Sequence, residues 1–225
     1  MSIVVTACFA RETKWIRRRS DVRVVRTPIG ARAAECMDEA ADGAGTIDLM
    51  ISTGFCGGLA EGLETGDLVL ARAVQTADGT VAVSADLVDR ARGALETARC
   101  PIHVGPIDGS ETVLDVVAKR SLAECAAFAE CAAFAEHEVL AVDMESGPLA
   151  RWAAAHDVPF IICRSVLDPV DVDPVFAADR PLWRSIVRHP LGTLRMARRS
   201  AVAGRSIGRA MDVLCASAIE EGVNG

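Results

Sequence analysis

Short apolar runs rich in β-branched residues alternate with helix-patterned segments along most of this chain, and that alternation restricts the fold more than any other feature. Ile3–Ala7 reads as a strand buried on both faces, and Val22–Arg26 as a second strand. Ala31–Ala41 carries a helical pattern. Asp48–Ser52 reads as a strand that ends in a glycine-rich turn, Gly54–Gly58. Asp67–Ala73 is a further strand, Ser84–Ala98 a helix with Ser84 as its N-cap, and Ile102–Val104 a short strand. Val113–Glu136 is a long helical stretch. Val139–Met144, a helix to His156 and Pro159–Val166 then form a β-α-β unit. Arg180–Ile219 is helical again, punctuated by Pro181 and Pro190. The pattern predicts one three-layer α/β/α domain over residues 1–225.

Composition agrees. Apolar residues make up 51% of the 225, yet aromatics only 4% with no Tyr, so Ala, Val, Leu and Ile must fill the core. A net charge of -7 argues against a general nucleic-acid binder. The eight Cys form no CxxC pair and no metal-ligand spacing with the four His, which predicts reduced thiols, a cytoplasmic protein and no metal site. No apolar run reaches the length of a membrane span, and the charges near the start follow the apolar stretch, the wrong order for a signal peptide.

Two local features stand out. Ala123–Phe128 is repeated at once as Ala129–Phe134; six residues turn a helix by about 600°, so the copies point roughly 120° apart and cannot share a face. Between Arg180 and Arg209 there are eight Arg and no acidic residue. That segment is either a solvated or intersubunit face, or a basic face for peripheral contact with anionic lipid headgroups.

Acidic residues fall at three strand ends, where α/β proteins place their sites: Glu12, the Asp143-Met144-Glu145 run, and Asp168 before Pro169. Taken singly each has an ordinary explanation. Glu145 suits the first turn of a helix, Asp168 a turn, and Glu12 a surface pair with Arg11 or Lys14.

Taken with the glycine segment they form a more specific pattern. STGFCGGLAEGLETGDLVLA (Ser52–Ala71), AVDMESGPLA (Ala141–Ala150) and RSVLDPVD (Arg164–Asp171) resemble, in order and spacing, the purine and uridine phosphorylase superfamily that includes methylthioadenosine/S-adenosylhomocysteine nucleosidases. The resemblance implies an α/β fold with a mixed central sheet, cleavage of a purine N-glycosidic bond, a homo-oligomer, and no cofactor beyond phosphate as a possible co-substrate. It implies a nucleoside and phosphate loop containing Thr53, Gly54, Phe55 and Gly57. It implies ribose contacts from Met144 and Glu145, with Asp143 beside them, and a purine-facing acid at Asp168. The AVDMES variant, with Val117–Arg120 upstream and the Arg-rich tail, is most similar to the hopanoid-associated branch, which implies adenosylhopane as a substrate.

Cleaving this bond leaves positive charge on the ribose and negative charge on the base, so a poised acid and a carboxylate near the sugar are the residue types the chemistry requires. Family hydrolases place a Glu at the position of Glu12 to activate water. Family phosphorylases instead carry Arg and Ser at the positions held here by Ser52 and Phe55. These substitutions weigh toward water as the nucleophile, with an anion site built from Ser52, Thr53, the glycine backbone and Arg11, Arg32 or Arg164 as the alternative.

Overall fold

The computed structural model describes residues 2–110, 112, 114–128, 138–172 and 190–224. Eight strands among them join in one mixed sheet: β1 (Ile3–Ala7), β2 (Val22–Arg26), β3 (Leu49–Gly58), β4 (Leu68–Thr76), β5 (Gly79–Ala82), β6 (Ile102–Gly109), β7 (Ala141–Asp143) and β8 (Phe160–Asp168). The helices are α1 (Ala10–Thr13), α2 (Arg32–Ala44), α3 (Ala85–Thr97), α4 (Val116–Phe128), α5 (Ser146–Ala155) and α6 (Pro190–Asn224). Helix α2 packs on α5, and α1 and α3 pack on α6.

The strand order is β2-β1-β3-β7-β6-β4-β5, with β8 bonded to both β3 and β4. Strands β3, β7, β6, β4 and β8 therefore close on themselves. The ten-residue β3 makes this possible by changing partners along its length. Its first half pairs in parallel with β1, its far end pairs antiparallel with β7 at Gly57 and Gly58, and nearly its whole length pairs in parallel with β8.

Residues Gly54–Gly58, expected as a turn, instead continue β3. Register with β8 runs from Met50↔Phe160 to Gly57↔Asp168, interrupted by a bulge between Cys56 and Gly57. A neighbouring strand supplies the ladder hydrogen bonds that hold these glycines extended, overriding their weak strand preference. Other boundaries also move. The strand expected at Ile102–Val104 runs on to Gly109, β5 and the one-turn α1 are additional, and Ser84 takes the N-cap place without a side-chain capping bond. Helix α4 covers the first copy of the duplicated hexapeptide; the second copy lies outside the described residues, as do Arg180, Arg184 and Arg188.

The core is aliphatic, as composition requires: Val4, Val5, Met50, Ile51, Leu70, Leu95, Ile107 and Ile162 are fully buried. Helix α6 adds Ile207, Ala210, Met211 and Leu214 to it. On the same helix Gly204 and Gly208 leave a notch filled by Trp15, just beyond α1. A Cβ at Gly204 would collide with the indole Nε1, and one at Gly208 would lie 2.6 Å from the Trp15 carbonyl oxygen. The segment that carries Glu12 is thereby seated on α6.

Candidate active site

The three acidic strand ends converge on the glycine half of β3. Glu12, on the turn of helix after β1, is 2% exposed rather than paired at the surface. One carboxylate oxygen accepts from the backbone N–H groups of Cys8 and Phe9, both at 2.8 Å, and the other from Phe55 N–H at 2.9 Å. Folding back onto the N-cap residue, Glu12 makes half of a capping box. Gly54 permits the approach: its φ is +151°, and a Cβ there would sit 2.6 Å from Arg164 Nη1 and 3.0 Å from Glu12 Oε1. Burial pushes the Glu12 carboxyl above its ordinary value against the pull of these N–H groups and of Arg164.

Asp143 closes β7 and starts α5. Its Oδ1 accepts from Glu145 N–H at 3.1 Å and Ser146 N–H at 2.7 Å, and its Oδ2 from the Ser146 hydroxyl at 2.5 Å. Arg164 Nε lies 2.5 Å from the same oxygen. The rest of the guanidinium donates to Thr53 O at 2.6 Å and Ser52 Oγ at 3.0 Å. Burial pulls the Arg164 cation down, but Asp143, Glu145 and Glu12 together hold it above its ordinary range. Thr53 is likewise engaged, its hydroxyl donating to Cys163 O at 2.8 Å.

Glu145 is 8% exposed and accepts from Gly30 N–H at 3.3 Å. Burial first, then the Asp143 and Glu12 carboxylates, raise its carboxyl to about 7. Cys8, near both carboxylates, has its thiol pushed up to about 12, chiefly by burial. The Gly30 turn, at φ +71°, also faces the Met144 methyl, so one loop covers the Met-Glu pair.

Asp168 ends β8 with 6% exposure, and its Oδ1 is buried without a hydrogen-bond partner among the described residues. Among the described residues its ion-pair partner is Arg199 on α6, with Nη1 at 3.5 Å. Burial raises the Asp168 carboxyl, while Lys119 and Arg199 oppose the rise. A buried carboxyl oxygen with an ion pair to Arg199 but no hydrogen bond, beside the glycine half of β3, is a group prepared to meet a ligand.

The structure thus gathers Glu12, Thr53, Gly54 and Phe55 around Arg164, with Asp143 and Glu145 beside them. It sets Asp168 across the Gly57 register position. Gly57 does not offer an open face on its Cβ side, which Lys119 Cε and Val142 fill at 3.2 and 3.3 Å. Of the cations named for a possible anion site, Arg164 is consumed internally, Arg32 is exposed beside Glu35, and Arg11 is exposed. Sequence reasoning missed the contributions of Gly30, Lys119 and Arg199; the Pro28-Ile29-Gly30 turn is the one local signal among them. A separate cavity of about 300 Å³, lined by Asp48, Leu49, Pro159 and Leu214 among others, lies at the opposite ends of β3 and β8. Among the described residues no group of three or more His, Cys, Asp or Glu is placed to hold a metal, and no helix is long and apolar enough to cross a membrane.

Comparison with curated proteins gives no match. Solved structures with the same fold include the Helicobacter pylori 5'-methylthioadenosine/S-adenosylhomocysteine nucleosidase, at 14% identity and TM-score 0.70 over 95% of this chain and 97% of that one. The Helicobacter pylori futalosine hydrolase aligns at 13% identity and TM-score 0.71, again over 95% and 97%. A putative nucleosidase of the first kind from Borrelia burgdorferi, bound to adenine, aligns at 16% identity and TM-score 0.66 over 93% and 99%. The phosphorylase superfamily model matches residues 7–182, and the chain belongs to that superfamily.

Proposed function

We propose that this protein cleaves the N-glycosidic bond of an adenine nucleoside, with water as the attacking group. One observation carries the choice of water: the groups that a phosphate would need are spent within the protein. Arg164 donates to Thr53 O and Ser52 Oγ and pairs with Asp143, Thr53 Oγ1 donates to β8, and Phe55 N–H donates to Glu12. The N–H groups of Cys8, Phe9 and Phe55 surround the Glu12 carboxylate, suited to activating water and unsuited to receiving an anion.

In this reading Asp168 protonates the leaving purine, a step that its burial favours by keeping the carboxyl neutral to higher pH. Glu145 in its ionised form grips the ribose hydroxyls and offsets positive charge developing on the sugar, with the Met144 thioether against the ring. Asp143 and Arg164 do not touch substrate; they fix the start of α5 and hence Glu145. No metal or organic cofactor enters any step.

The finer assignment is adenosylhopane as substrate for a cytoplasmic homo-oligomer. It rests on the AVDMES variant and the Arg-rich C-terminal segment, whose Arg195, Arg198, Arg205 and Arg209 are exposed on α6. Those residues would meet anionic lipid headgroups, and salt-sensitive sedimentation with anionic liposomes tests that contact.

The function is tested by base release from a panel of adenine nucleosides, with and without phosphate. Adenine appearing without phosphate is the expected result. Strict phosphate dependence would replace the reading with a phosphorylase, and binding without turnover of any nucleoside, adenosylhopane included, would leave a nucleoside-binding protein.

A further inference from the structure

The Lys119 side chain is drawn into the interior on α4, which is otherwise a largely surface helix; the residue is 2% exposed. Its stem passes under the glycine segment of β3, with Cε 3.2 Å from where a Gly57 Cβ would stand. Its ammonium donates to three backbone carbonyls of one turn: Asp168 O at 3.0 Å, Pro169 O at 3.2 Å and Val172 O at 3.1 Å. Burying an ammonium is costly unless hydrogen bonds replace its water, and such charge-assisted bonds are stronger than neutral ones. A buried cation that donates three times to the main chain of the turn next to the candidate acid is a device for holding that turn.

We propose that Lys119 is a positioning residue for Asp168: by gathering the carbonyls of Asp168, Pro169 and Val172 it fixes the turn after β8 and with it the direction in which the acid faces the base. The inference rests on the reading of Asp168 as the proton donor. Within the turn only Pro169 O has another donor among the described residues, Val172 N–H at 3.0 Å, so without Lys119 the turn is held less firmly and Asp168 loses its fixed place beneath Gly57. Glycine at 57 is what leaves room for the lysine stem, which gives that position a reason independent of substrate contact.

Charge accompanies geometry. Among the described residues two cations face Asp168 from the elements packed on it, Lys119 from α4 and Arg199 from α6, while Asp171 on the same turn is paired with Arg120 at 2.5 Å. Lys119 favours the ionised acid, so removing it makes Asp168 harder to ionise.

The test uses the full chain carrying Lys119→Met and, separately, Lys119→Gln, which keeps a hydrogen-bond donor without the charge. Asp168 is followed by ¹³C NMR of labelled aspartate, its signal identified by loss in Asp168→Asn, alongside adenine release. The expected result is an upward-shifted Asp168 titration in both variants, with kcat lowered at least tenfold and KM changed less than threefold. Lys119→Gln should retain more activity than Lys119→Met. Should Lys119→Met not fold, Lys119→Gln carries the same readouts. A folded variant with an unmoved Asp168 titration and wild-type kcat would overturn the proposal. A shifted titration in a protein whose wild type releases no adenine would uphold the coupling of Lys119 to Asp168 and reject the functional reading instead.

Discussion

Asp143 Oδ2 and Arg164 Nε lie 2.5 Å apart, with side chains 2% and 1% exposed, and this one ion pair joins the end of β7 to the middle of β8. The β3 backbone and the start of α5 both lean on it. Asp143 holds the first N–H groups of α5, and Arg164 holds the β3 backbone at Thr53. Removing one partner strands a buried charge, which costs about 3–5 kcal/mol. Asp143→Asn and Arg164→Met should each lower stability by that order in urea unfolding. The double variant should cost less than the sum; strict additivity would show that the two residues do not act as a pair.

Asp168→Asn keeps the shape of the side chain and removes the proton it would deliver. Base release should fall about 10²–10⁴-fold, the usual share of general acid catalysis. The unfolding midpoint should hold or rise slightly, since the buried carboxyl is strained when ionised. Turnover close to wild type in the folded variant would remove Asp168 from its role.

Glu145 titrates near 7 in the folded protein against an ordinary 4.5, so the fold favours its neutral form. Its contribution to stability is fully present below about pH 4.5 and is lost as pH rises through about 7. Glu145→Gln cannot ionise and should therefore gain on the wild type between pH 5 and pH 8, by on the order of 2–3 kcal/mol. Urea unfolding at the two pH values measures the gap, and an equal difference at both would contradict the assignment. The same ionisation should make kcat/KM climb with pH toward 7, because the ribose-gripping form is the carboxylate.

Gly204 sits inside α6, where replacement by Ala ordinarily stabilises a helix by about 0.5–1 kcal/mol. Here the added methyl meets the Trp15 indole. Gly204→Ala should instead destabilise by about 1–3 kcal/mol, the range for overpacking, and Trp15→Leu in the same chain should recover part of the loss. A more stable Gly204→Ala would show that the notch is looser than the structure gives.

Much of the fold was legible because burial on both faces writes itself as unbroken apolar runs, as in β1 and β8. Gly54–Gly58 was misjudged because glycine signals a turn wherever no partner strand is known; only the register with β8 reveals that these residues are extended. The carboxylates were legible as a set at strand ends. Their partners were not: Lys119, Arg199 and Gly30 lie 49, 31 and 115 residues away from Asp168 or Glu145, and beyond the turn that Pro28-Ile29-Gly30 signals no local pattern encodes such approaches.

The claim that water is the nucleophile rests on Glu12, and adenine release in phosphate-free buffer by the wild type and by Glu12→Gln tests it most directly. The account predicts phosphate-independent release by the wild type, reduced at least a hundredfold in Glu12→Gln, with nucleoside binding retained. Release that requires phosphate, or a Glu12→Gln variant as fast as the wild type, would contradict it.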